Sequence, residues 1–128
     1  MKLLLDSHAL IWFLEDDNRL SPIARSAISD PNNLCFVSDA TAWEIGIKHA
    51  LGKLDLPLPF DELFPNRLEA LGFKMLPIMH GHLYRMIRLP RHHGDPFDRL
   101  LIAQALAEGF TIVSQDPQFP GYGVTILW

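Results

Sequence analysis

Along this chain, short apolar runs alternate with stretches of helical period. KLLLD, Lys2 to Asp6, predicts a buried strand that ends in a carboxylate. SHALIWFLE follows, with Leu10, Phe13 and Leu14 at helical spacing and Ser7 as the expected cap. SPIARSAISD, Ser21 to Asp30, has serine at the cap and proline at the first helical position, where a missing N–H costs nothing. LCFVS, Leu34 to Ser38, predicts a second strand. DATAWEIGIKHALGKL predicts a helix that starts at Asp39 or Thr41 and stops at Gly52. Prolines break LDLPLP into a connector, and FDELFPNRLEALG is helical in parts, with Pro65 breaking or restarting it. FKMLPI is a third strand and HGHLYRMIRLP a short helix that ends before Pro90. PFDRLLIAQALAEG is the clearest helix, closed by Gly109; FTIVSQD is a fourth strand ending in a carboxylate, and GVTILW a fifth.

Continuous apolar strands separated by helices predict an α/β fold, with a mostly parallel sheet covered by helices on both faces. Ligands of such sheets bind beyond the carboxyl ends of the strands, where Asp6 and Asp116 fall. A length of 128 residues suits a single domain over 1–128, and 48% hydrophobic residues suffice for a core. Repeats, low-complexity tracts and interdomain linkers are absent. No apolar run is long enough to span a bilayer. Asp6 and His8 interrupt the apolar start, and no small-residue cleavage site follows, which counts against a signal peptide. Cys35, the single cysteine, has no disulfide partner in the chain. The expectation is a cytoplasmic protein with Cys35 buried in a strand and no membrane association. A net charge of −4 counts against a generic nucleic-acid surface, unless the acids gather around a bound cation.

The acids at element ends give that exception substance. Asp6 closes the first strand, Glu44 lies about one turn into the helix after the second, Asp98 opens the clearest helix, and Asp116 follows the fourth strand. In a parallel sheet all four would share one edge. Gathered carboxylates raise each other's pKa, a cost accepted chiefly where a hard divalent cation neutralises them. Mg²⁺ or Mn²⁺ in such a cluster suits phosphodiester hydrolysis by a metal-activated water. The plainer alternative is scattered caps and surface charges. Asp95 reads equally as the cap of the helix opened by Pro96.

Other residues carry two readings each. His8 is a base, a ligand or a hydrogen-bonded helix-start histidine, the last being favoured. His92 and His93 read as phosphate contacts or, the favoured reading, a solvated turn; with His80 and His82 they match no tetrahedral zinc spacing. Lys48 stands four residues after Glu44, the favourable order for a helix ion pair, and reads equally as a phosphate contact. Ser38 and Thr41 read as caps, or as holders of a water. Arg99 either pairs with a carboxylate or reaches RNA. Arg85, Arg88 and Arg91 form the one basic cluster, a candidate RNA-backbone contact or a solvated face. Trp12, Trp43 and Phe97 read as core residues rather than base-stacking platforms. Gly121 and Gly123 bracket Tyr122 in a turn, and no phosphate-binding glycine loop occurs.

Three ordered blocks carry a resemblance. LLLDSHALIWFL resembles the D-x-H-x-L-x-W opening of PIN-domain nucleases. SDATAWEIGIKHALGKLDLP is similar to their S-x-x-[ST]-x-W-E-I-x-I-K-x-x-x-G-K-L segment. HGDPFDRLLIAQALAEGFTIVSQDPQFPGYGVTILW resembles their H-x-D-P-F-D-R-x-L-[IV]-A-Q-A block and D-x-x-F-x-x-Y close. The likeness is to the VapC-type branch, the toxin half of type II toxin–antitoxin pairs. It covers nearly the whole chain, although Pro57 to Leu89 carries little signature.

The resemblance implies a three-layer α/β/α fold with a five-stranded parallel sheet in the order 3-2-1-4-5. It implies a Mg²⁺- or Mn²⁺-dependent endoribonuclease whose catalytic and metal-binding acids map onto Asp6, Glu44, Asp98 and Asp116, with Asp95 in a capping role. It further implies cleavage leaving a 5′-phosphate and a 3′-hydroxyl, a transfer or ribosomal RNA substrate, a cognate antitoxin and a homodimer. The antitoxin would lie over the Leu10–Leu14 and Trp43–Leu54 segments. Two rivals stand beside this: a PIN nuclease of RNA processing without an antitoxin, and an inactive PIN binding module.

Overall fold

The computed structural model describes residues 1–128. Its central strand is β1 (Lys2–Leu5), hydrogen-bonded in parallel to β2 (Leu34–Ser38) on one side and to β4 (Thr111–Val113) on the other. β3 (Lys74–Leu76) and β5 (Ile126–Leu127) form the edges, also parallel, in the order 3-2-1-4-5. The strands are short, and β1 is apolar from Leu3 to Leu5 where it crosses the middle of the sheet, as a strand covered on both faces must be.

Side-chain alternation along β1 divides the core in two. Leu3 and Leu5 pack with Cys35, Val37 and Val113 under one helical layer. That layer is α1 (Ser7–Leu14), α2 (Pro22–Ser29) and the broken segment from Phe60 to Ala70. Leu4 and Ile112 point the other way, toward α7 (Pro96–Glu108) and the turn around Phe119. α6 (His80–Ile87) packs alongside α7. α3 (Asp39–Ala50) leaves β2 directly and contacts both α1 and α7. No helix is long and apolar enough to cross a membrane.

Local chemistry explains most boundaries. Ser21 caps α2, accepting the Ala24 N–H at 3.0 Å, with Pro22 at the first helical position. Gly109 ends α7 at φ 74°, a left-handed conformation that glycine adopts without a Cβ penalty. Phe64 is extended before Pro65, as steric conflict with the proline ring requires, and the helix from α4 (Phe60–Glu62) to α5 (Leu68–Ala70) is interrupted there. One cap differs from expectation: Asp6, not Ser7, caps α1, because its carboxylate accepts the Ala9 N–H at 2.8 Å. Of the residues read as caps of α3, Ser38 takes the position rather than Asp39 or Thr41, accepting from Ala40 at 3.0 Å. The fourth strand also stops earlier than its apolar run suggests, at Val113, so Asp116 lies in the turn beyond it.

Ile112 is fully buried and pairs with Leu4 and Ile126. Replacing it with alanine is expected to cost about 2–5 kcal/mol, read as a lower urea midpoint at unchanged slope. A loss under about 1 kcal/mol would contradict this packing.

Candidate active site at the carboxyl edge of the sheet

Parallel strands deliver their carboxyl ends to one edge, and the helices that follow begin there. Asp6 is the first residue past β1, buried, with its own N–H on the Val113 carbonyl at 3.2 Å. Glu44 sits in the second turn of α3, also buried, with its carboxylate on Lys48 at 2.9 Å. The expected helix ion pair is therefore formed. Asp98 lies in the first turn of α7, where its Oδ2 meets His93 Nε2 at 3.1 Å. Asp116, half-buried, donates its N–H to Ser114 Oγ at 3.0 Å and accepts the Gln118 N–H at 2.9 Å.

The electrostatics join these positions into one neighbourhood. Burial pushes the Asp6 carboxyl above the ordinary range; the Ser114 hydroxyl, the Ala9 N–H and His8 oppose that, while Asp116 adds to it. Asp98 is pushed up to about 6, again mainly by burial, with His93 opposing and Asp95, Asp116 and Glu44 adding. Among all the ion pairs, Lys48 on Glu44 is the one lysine or arginine pairing with any of these acids. The donor set is therefore hard carboxylate oxygen with little compensating positive charge, which fits Mg²⁺ or Mn²⁺ by chemistry. The acids do not form a closed cage: no three His, Cys, Asp or Glu side chains are gathered tightly enough to enclose an ion as they stand. Each carboxylate has a local partner instead: the Ala9 N–H for Asp6, Lys48 for Glu44, His93 for Asp98 and the Gln118 N–H for Asp116.

Asp95 does what a cap does. Its Oδ1 accepts the N–H groups of Phe97 and Asp98, at 2.9 and 3.1 Å. The two aspartates of DPFD thus divide their work, one capping the helix start and one meeting His93.

Several expectations need correction. Arg99 neither pairs with a carboxylate nor reaches outward. It is buried, with its guanidinium on the carbonyls of Pro90, Met86 and Leu89 and on the Tyr122 hydroxyl. His93 is not a solvated turn residue; it bridges Tyr122 and Asp98. Trp43 is not core: it is 60% exposed, edge-on to a half-buried Phe97 at 5.0 Å. Trp12 is core, with the exposed His8 stacked on it at 5.3 Å. Arg85, Arg88 and Arg91 are exposed and pair with no carboxylate.

A second buried chain went unpredicted. Ser38 bonds to Gln104, whose amide faces His82 Nδ1 at 3.3 Å, and His82 Nε2 meets Glu108 at 3.0 Å. Only the polar Gln104 within the apolar run of α7 hinted at it.

Comparison with known proteins gives this geometry its class. A model of the PIN domain matches residues 3–124, and the chain belongs to that family. Ribonuclease VapC22 of Mycobacterium tuberculosis is 29% identical over 115 residues, covering 88% of this chain and 85% of that protein. Ribonuclease VapC16 of the same organism is 38% identical over 58 residues, 45% of this chain but 41% of that protein's length. Among solved structures, VapBC2 from Rickettsia felis, bound to a DNA fragment from its promoter, superposes with a TM-score of 0.74 at 12% identity. That match covers 100% of this chain and 99% of the other, and establishes a shared fold.

The raised Asp98 pKa carries a stability consequence. The native state holds this proton more tightly than the unfolded chain, so stability from this group is complete below about pH 4 and lost as pH rises through about 6. In EDTA at neutral pH, Asp98→Asn is expected to raise the melting temperature by about 3 °C or more, the shift of roughly 1 kcal/mol in a domain of this size. The gain should shrink as pH falls from 6 toward 4. A melting temperature that drops at neutral pH would refute the assigned burden.

Proposed function

We propose that this chain is a metal-dependent endoribonuclease acting as the toxin of a type II toxin–antitoxin system. The observation that carries this is the placement of Asp6 directly after β1, Glu44 in α3 and Asp98 in the first turn of α7, at the carboxyl edge of a PIN-domain sheet. The likeness to ribonucleases VapC22 and VapC16 supports the same reaction. Asp6 and Asp98 would hold a Mg²⁺ or Mn²⁺ ion, with Glu44 and Asp116 completing the acid cluster. Such an ion supplies charge stabilisation to a phosphodiester and lowers the pKa of the attacking water. The chain's own residues contribute the rest. Asp95 shapes the first turn of α7 that carries Asp98, Ser114 supports Asp6 and the backbone of Asp116, and Lys48 holds Glu44.

The substrate class is RNA, of the transfer or ribosomal kind, and the partners are a second copy of the chain and a cognate antitoxin. An antitoxin segment finds two apolar surfaces of the expected sort. Trp43 and Ile47 of α3 and its C-cap Leu51 recur every fourth residue and are exposed. Phe13 and Leu14 line a groove of about 640 Å³ with Pro57, Leu58 and Leu63. An amphipathic helix laid in a groove is a common recognition mode for such faces.

Purified protein is expected to cut RNA with Mg²⁺ or Mn²⁺, leaving 5′-phosphate ends, and to stop in EDTA. Asp6→Ala should slow cleavage by about 100-fold or more, the scale of losing one charge-stabilising group. Cleavage that persists in EDTA, or at full rate in Asp6→Ala, would overturn the assignment.

A further inference from the structure

We infer that Tyr122 acts through His93 as a positioning residue, setting which imidazole nitrogen carries the proton and so orienting the Asp98 carboxylate. This rests on the proposed role of Asp98 in holding an ion. The protons around one buried oxygen, Tyr122 Oη, fix the assignment. Tyr122 Oη receives two groups that can only donate: the Arg99 guanidinium at 3.3 Å and the His93 backbone N–H at 3.2 Å. Both acceptor positions of a phenol oxygen are then used. The hydroxyl proton must go elsewhere, and the nearest acceptor is His93 Nδ1 at 2.7 Å. The other candidate, the His93 carbonyl oxygen, lies at 3.5 Å, at the limit of hydrogen-bonding distance.

An Nδ1 that accepts is unprotonated, so the neutral ring carries its proton on Nε2. Nε2 is the atom that faces Asp98 Oδ2 at 3.1 Å. His93 therefore donates to one oxygen of Asp98 and leaves Oδ1 free of any partner within the chain. The source of this order is rigid. Arg99 is buried and pinned by carbonyls at 2.8 Å from Pro90 and 3.2 Å from Met86, and Tyr122 is buried in a helical turn over Pro120–Tyr122. The relay Arg99–Tyr122–His93–Asp98 thus transmits a fixed donor direction from the core to an acid at the site. Partners behind a metal-holding side chain typically affect metal affinity by about 10–100-fold.

Two measurements test this. Long-range ¹H–¹⁵N correlation on the metal-free protein at neutral pH should show His93 as a single Nε2–H tautomer. In Tyr122→Phe, which keeps the ring in the core and removes only the hydroxyl, that single form should give way to a mixture. In an electron paramagnetic resonance titration with Mn²⁺, Tyr122→Phe should weaken binding by about 10-fold and His93→Leu by about 10–100-fold. His93→Gln, which restores a donor toward Asp98, should recover most of the loss. An Nδ1–H tautomer in the unaltered protein overturns the relay. Asp98→Asn separates the two readings. Undiminished Mn²⁺ binding there overturns the ion site and the inference with it. Diminished binding there, with Tyr122→Phe and His93→Leu unchanged, overturns the relay alone.

Discussion

Everything in this molecule depends on a strand that is buried on both faces and paired on both edges. Leu3, Leu4 and Leu5 of β1 have no exposure. A strand in that position must be covered by two helical layers, and parallel neighbours require crossovers that bring those helices back over the sheet. One geometric result follows without further design. The carboxyl ends of β1, β2 and β4 come out together, and whatever residues follow them share a rim. Asp6, the start of α3 with Glu44 one turn along, and the turn bearing Asp116 all reach the rim this way. α7 joins them because its first turn faces the same edge.

That rim is where the sequence works against its own stability. Asp6 and Asp98 are placed where burial and like charge both disfavour the ionised form, with no arginine or lysine to compensate them. Nearby, the chain compensates buried polar groups thoroughly. No buried side-chain nitrogen or oxygen lacks a hydrogen-bond partner. Arg99, one residue after Asp98, spends its guanidinium on backbone carbonyls and Tyr122 rather than on an acid. A buried cation one residue from Asp98, yet turned from it, leaves the charge of that carboxylate without a lysine or arginine partner. Proteins break local rules of this kind mainly at functional sites.

Two polar chains run behind the rim, and they differ in reach. Ser38, Gln104, His82 and Glu108 run from the carboxyl end of β2 to the surface at the far end of α7. Arg99, Tyr122, His93 and Asp98 run from the core to the site. Both are anchored on α7, whose interior is otherwise apolar. That helix is thus a carrier of polar contacts as well as a wall of the core.

Much of this was legible from residue order. Apolar run length, proline and glycine placement and the DPFD start marked all five strands and most helix limits, because those signals are local. The resemblance of three motif blocks supplied the strand order and pointed to the acids. What residue order could not settle was direction in space. Trp43, by its helical context, looked like core, but the α3 face it occupies is left uncovered by the fold. Arg99 read as a carboxylate partner or an RNA contact, and His93 as solvated, but the turn before α7 folds back against Tyr122, which is distant along the chain. Short-range patterns determine which segments are strands and helices, since those depend on backbone bonds and propensities within a few residues. Which side chains meet depends on how those segments pack, and only the tertiary structure decided that.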